Sequence, residues 1–118
     1  MNIQQLLRAY EKGQRDFAGI DLQGADLSGE TLVEVDFRDA NLMGANLNRA
    51  FLIRANLSGA MMNWANLSHA KLNEAKFADT DLSKANLQGA FMVNTNLPRG
   101  RLCGAKLNYA NSRGANFW

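Results

Sequence analysis

Cysteine and proline are nearly missing from this chain, with one of each, Cys103 and Pro98. A lone cysteine makes neither an intramolecular disulfide nor a cysteine-based zinc site, and it suits a reducing compartment. A long apolar run is missing from Met1 to Asp16, where charges occur throughout. That argues against a secretory signal and a membrane span, so the expectation is a soluble, cytoplasmic protein with no membrane partner. Net charge is only +2, too small to imply a nucleic-acid partner by itself. What is plentiful is apolar side chain, 47% of 118 residues, enough for one domain with one core and too much for disorder.

The charge is unevenly spread. Seven acids (Asp16, Asp21, Asp26, Glu30, Glu34, Asp36, Asp39) stand between positions 16 and 39 against one base, Arg38. From Lys84 onward there are five bases (Lys84, Arg99, Arg101, Lys106, Arg113) and no acid. One end is therefore acidic and the other basic.

A repeat of five residues organises the rest. From Phe17, every fifth residue is large and apolar (Leu22, Leu27, Leu32, Phe37, Leu42 and onward to Phe117), with Ser112 the single polar exception. Two residues before the centre stands alanine in 14 of the 21 repeats. Between the two lies Asp or Asn in 13 of 21 repeats, and two residues after the centre glycine is frequent. Five does not match a helical face, because successive positions rotate by roughly 140° and scatter around the cylinder. In extended chain, the alanine and the centre point the same way, and a corner must reset the direction once per repeat. Glycine, Asn and Asp suit corner backbone.

The number of sides comes from the spacing of like residues. Phe17, Phe37 and Phe77 are separated by multiples of twenty, as is Phe117, and Ala25, Ala45, Ala65, Ala85 and Ala105 recur without a break. The expected fold class is all-β: a four-sided parallel β-helix of about five coils, roughly 25 Å long at ~4.8 Å per coil. Its crossovers are expected to be right-handed.

The runs Ala45-Asn46-Leu47, Ala55-Asn56-Leu57, Ala65-Asn66-Leu67 and Ala85-Asn86-Leu87 resemble the A-(D/N)-L-x-x signature of the pentapeptide-repeat family, and the likeness extends over residues 15–118. It is similar to the small cyanobacterial-type members. The resemblance implies a right-handed quadrilateral β-helix. It also raises the family's best-known activity, mimicry of DNA towards a topoisomerase. A rod of this length would then need on the order of fifteen net negative charges, given one charge per ~1.7 Å of duplex. The chain is net positive, so that alternative is disfavoured.

Residues 1–14 stand outside the repeat. Ile3, Leu6, Leu7 and Tyr10 make one apolar stripe at helical spacing, and Gly13 supplies a stop. The expectation is a short α-helix capping the first open edge of the coil, which would otherwise invite aggregation. The last coil carries no such device, and three expectations stand: Trp118 folds over that edge, two molecules meet there, or the natural chain continues.

No catalytic, cofactor or metal site is expected. A core of stacked Leu, Phe and Ala leaves no concavity for a small-molecule substrate. His69 and Cys103 both point outward and alone, and the Asp residues belong to the turn-forming column. The better candidate is a surface. On the side built from centres Leu32, Leu52, Leu72 and Met92, the outward residues include Val33, Phe51, Ile53, Phe91 and Val93, interrupted by Lys71 and Asn73. Such an apolar patch points to a protein partner or self-association. The basic C-terminal coils offer a weak nucleic-acid alternative, but their charges lie on different sides with no aromatic platform among them.

Burial of each centre is worth ~1.5–3 kcal/mol, so stability should reside in these columns. Replacing the inward Ala65 with Leu should overpack its coil and cost ~1–3 kcal/mol, read as a lowered melting temperature. An unchanged melting temperature would contradict the assignment of inside and outside.

Overall fold

The computed structural model describes residues 1–117. Its first element is a helix, α1 (Ile3–Glu11), and the rest is a parallel β-helix that turns every five residues. Each turn is closed by the carbonyl of a repeat centre, which accepts the N–H three residues on, as between Ala65 and Met62 at 3.0 Å. The third residue of every turn has positive φ, the requirement of a type II turn. Glycine fills it in eight repeats, and twelve non-glycine residues fill it in the others, among them Arg49, Trp64, His69 and Tyr109. Each of those twelve gives up ~1–2 kcal/mol of backbone preference.

Bonds between coils offset that cost. The residue before each centre bridges in parallel to the residue twenty positions on, from Asp16 with Asp36 to Asn96 with Asn116. Three backbone bonds per repeat cross the gap. The N–H of Leu47 donates to the Asn66 carbonyl at 2.7 Å, that of Arg49 to Ser68 at 3.0 Å, and that of Asn66 to Ala45 at 2.9 Å. The expectation of strand-like sides needs correcting, since the pairing consists of isolated bridges and no longer strand forms among the described residues. A left-handed residue in every repeat breaks the extended run before a second bridge can form.

The Asp/Asn column completes the backbone accounting. Eleven of these side chains accept the N–H of the residue two positions on, as Asp16 does from Ala18 at 3.0 Å. These are Asx turns, and they leave the bridge itself to the backbone. Asn96 meets Pro98, which has no N–H to give.

Inside, the centres and alanines of the middle coils are fully buried, from Phe37 through Met62 to Met92. Two threonines replace alanine without leaving a polar orphan. The hydroxyl of Thr80 donates to the Leu57 carbonyl at 2.7 Å, and that of Thr95 to Leu72 at 2.8 Å. The molecule measures 33 × 22 × 22 Å along its principal axes.

Helix α1 sits on the first coil. Asn2 and Gln5 form a reciprocal capping box at its start, and Gly13, with φ of 105°, follows its end. Leu6 is buried in the core, with Ile3, Leu7, Ala9 and Tyr10 packed around it. Two edge carbonyls of the first coil are satisfied from this segment: the Tyr10 hydroxyl donates to Val33 at 2.7 Å, and the Gln14 amide donates to Asp16 at 3.0 Å. The Arg15 guanidinium lies 3.7 Å from the centre of the Tyr10 ring and holds it in place. At the other end Leu107 and Phe117 are partly exposed, and Ser112 is exposed.

Hydrogen bonds hold several turn carboxylates below the ordinary value of 3.8. The Arg38 side chain does so for Asp36, the Ser83 side chain for Asp81, and the Ser28 side chain for Asp26. Arg99 does the same for Asp79. A depressed folded-state pKa contributes stability above the unfolded value of about 4, and that contribution is lost as pH falls through the folded values. Melting temperature should therefore stay level from neutral pH down to about 5 and fall only below about 4. Asp36→Asn with Asp81→Asn keeps an acceptor oxygen in each turn and should flatten that acid limb, as followed by circular dichroism at a series of pH values.

Candidate interaction surface

The parallel register decides which side chains stand next to each other outside the coil. Thr31, Phe51, Lys71, Phe91 and Asn111 form one bridged column. The N–H groups of Phe51, Lys71 and Phe91 each donate to the preceding coil at 2.9 Å, so their Cβ atoms rise in step. Beside them, one position past the buried centres Leu32, Leu52, Leu72 and Met92, stand Val33, Ile53, Asn73 and Val93. The surface expected from the sequence is thus brought together on one side, with Phe91 exposed and Val33, Phe51, Ile53 and Val93 half-buried. Trp118, the remaining candidate, lies outside the described residues.

Lys71 changes the character of this side. Its ammonium lies 4.6 Å from the centre of the Phe51 ring and 5.4 Å from that of Phe91. Lysine therefore joins the two rings through their negative faces, where the sequence suggests only an interruption. Asn73 is also engaged: its side-chain oxygen accepts the Val93 N–H at 3.1 Å. The corner that follows carries Glu34, Arg54 and Glu74, with Arg54 3.3 Å from the first carboxylate and 3.5 Å from the second. At the helix end, the Tyr10 hydroxyl bonded to Val33 closes the side off.

A second apolar group was not apparent from the repeat. Trp64 and Met61 are exposed, Trp64 at 67%, on the side whose bridged column runs Asp21, Asn41, Met61, Asp81, Arg101. Lys84 approaches the Trp64 ring at 6.0 Å. The signal was available as a departure from pattern, because methionine takes the Asp/Asn position and tryptophan takes a left-handed corner that Gly24, Gly44 and Gly104 hold in other coils of the same column.

The reactive residues are dispersed. His69 is exposed at a corner, and a Cβ added to Gly89 would come within 2.5 Å of its Nδ1, so the ring lies over that glycine. Cys103 is an exposed free thiol. Among the described residues no three His, Cys, Asp or Glu side chains are placed to hold a metal ion, and no helix is long and apolar enough to cross a membrane. A cleft of about 400 Å³ opens between α1 and the first coil, lined by Leu7, Tyr10, Glu11, Arg15, Glu30 and Thr31, a concavity that the repeat pattern did not suggest.

Among solved structures, the fold is similar to a pentapeptide repeat protein from Nostoc PCC 7120, with 28% identity, a TM-score of 0.84, and coverage of 98% of this chain and 94% of the other. A pentapeptide repeat protein of the Arabidopsis thaliana thylakoid lumen is 33% identical over 82% of this chain and 64% of its own, with a TM-score of 0.66. An uncharacterised Synechocystis protein is 63% identical over 35 residues, which is 30% of this chain and 11% of that one. The chain thus spans under two thirds of the last two relatives. The family model for pentapeptide repeats matches residues 20–59 and 60–97 in eight copies. On these matches and the bridged five-residue turns beneath them, the chain belongs to the pentapeptide-repeat family, whose fold is a right-handed β-helix.

Proposed function

We propose that the protein is a non-enzymatic interaction scaffold whose docking surface is the Phe51–Lys71–Phe91 side. In this reading residues 15–118 form a four-sided prism of about five coils, and residues 1–14 serve as its cap. The bridge interval of twenty with a turn every five, and the equal 22 Å transverse extents, support that shape. Leu6 in the core and the two edge carbonyls bonded from the helix segment support the cap.

One observation carries the functional reading: a contiguous apolar side, with Phe91 44% exposed, on a coil whose other outward positions are mostly polar. Soluble proteins seldom keep such a side without a use. Solenoids offer extended surfaces of this kind because each coil is held by its neighbours and little order is lost on binding. Charge disfavours a DNA mimic, since the seven clustered acids occupy only the first coil and a half. The single exposed thiol of Cys103 fits a cytoplasmic location.

Phe51→Glu with Phe91→Glu should leave the melting temperature and circular dichroism spectrum close to wild type, because both side chains stand outside the core. Light scattering coupled to size exclusion, over a dilution series at low and high salt, tests self-association, and capture of a protein partner tests the other arm. Any association present in wild type should be lost in the double variant. Association unchanged in both assays would overturn the reading.

A further inference from the structure

We infer that the Phe51–Lys71–Phe91 side takes a protein segment in which a carboxylate is set among apolar side chains, with Lys71 as its counter-charge. This rests on the docking reading above and adds the chemistry of the partner. The Lys71 ammonium is held between two rings, at 4.6 and 5.4 Å from their centres, and its side chain is half-buried. The rings orient the cation without neutralising it.

No acid among the described residues answers that charge. The ion pairs among the described residues are Arg38 with Asp36, Arg54 with Glu34 and Glu74, and Arg99 with Asp79, and Lys71 is in none of them. The two acids on the corner beside this side, Glu34 and Glu74, are both occupied by Arg54. The Asn73 side-chain oxygen is spent on Val93, and its amide hydrogens, which stand on the same side of the coil as Lys71, meet no acceptor among the described residues. The middle of an apolar side therefore offers N–H donors and one positive charge and asks for an acceptor that is negative. In surroundings poor in water such a pair is stronger than on an open surface, and it fixes register and selects against uncharged partners.

Other occupants fit less well. The stripe is centred on Lys71, so a two-fold contact between copies through its middle sets one ammonium against the other. A polyanion such as nucleic acid would meet one cation here, flanked by Glu34 and Glu74. A single Asp or Glu with aromatic or aliphatic neighbours matches both the charge and the rings.

Selection of phage-displayed random dodecapeptides on the immobilised full chain tests this. Lys71→Glu and the Phe51→Glu/Phe91→Glu double variant serve as counter-selections, and circular dichroism checks their fold. The expected peptides carry Asp or Glu among apolar residues, bind wild type at least tenfold more tightly than Lys71→Glu, and are lost on the double variant. Apolar peptides without an acid, lost on the double variant but indifferent to Lys71→Glu, would overturn the inference and leave the docking surface standing. No enrichment over the double variant would overturn both. A dimer in light scattering that Phe51→Glu/Phe91→Glu dissolves would identify a second copy as the occupant and also refute the inference.

Discussion

A left-handed residue at every fifth position is the constraint on which the rest of the molecule depends. It bends the chain back on itself at the cost of ~1–2 kcal/mol wherever the residue is not glycine, and it cuts every extended run short. No single repeat recovers that cost. Recovery comes from the neighbouring coil, which takes three backbone bonds per repeat, and from the interior, where the Leu, Met, Phe and Ala columns of the middle coils are buried. The Asx turns add one bond where the backbone has no partner of its own. The coil is thus stable only as a stack, and at its first edge the Tyr10 and Gln14 side chains bond two of the carbonyls that no neighbouring coil meets.

The same ladder determines the surface. A bridge between residues twenty apart places their side chains side by side, whatever their chemistry. Like residues form columns inside, and outside, unlike ones are forced into contact. Phe51, Lys71 and Phe91 are an example: the register obliges a cation to stand between two rings. The corner carrying Glu34, Arg54 and Glu74 is another, and there the forced neighbours have opposite charge. Because the backbone beneath is pinned on both sides, these arrangements persist without a partner, which is the condition for binding at little entropic cost.

The inside of this fold could be read directly from the chain. Leu42, Leu47 and Ala65 declare themselves by interval alone, since every inward position answers to the same steric demand. The helix from Ile3 to Glu11 was legible for the same reason, one stripe at one spacing. The outside was less so. Positions 49, 54, 64 and 69 fall at corners by interval, but the local preferences of Arg, Trp and His do not favour the left-handed backbone they hold there, which the inter-coil bonds impose. Lys71 read as a break in an apolar side because sequence shows position and not the direction in which a long side chain lies. The bond from Tyr10 to Val33 depends on how the helix is docked, which no spacing encodes.

Hydrogen exchange resolved to single amides tests the central claim, that the coil is held by bonds between residues about twenty apart. In each middle repeat, the N–H of the centre and of the residue before it, as in Leu47 and Asn66, should be slow, because both are bonded to a neighbouring coil. The N–H groups of Ile53 and Asn73, which meet no acceptor among the described residues, should exchange fast within the same repeats. Slow centre and pre-centre amides recurring every five residues in the middle coils, with fast exchange one past the centre only where no side-chain oxygen accepts that N–H, are the predicted result. Fast exchange at the inter-coil amides of the middle coils, or protection at Ile53 and Asn73 equal to theirs, would contradict the account.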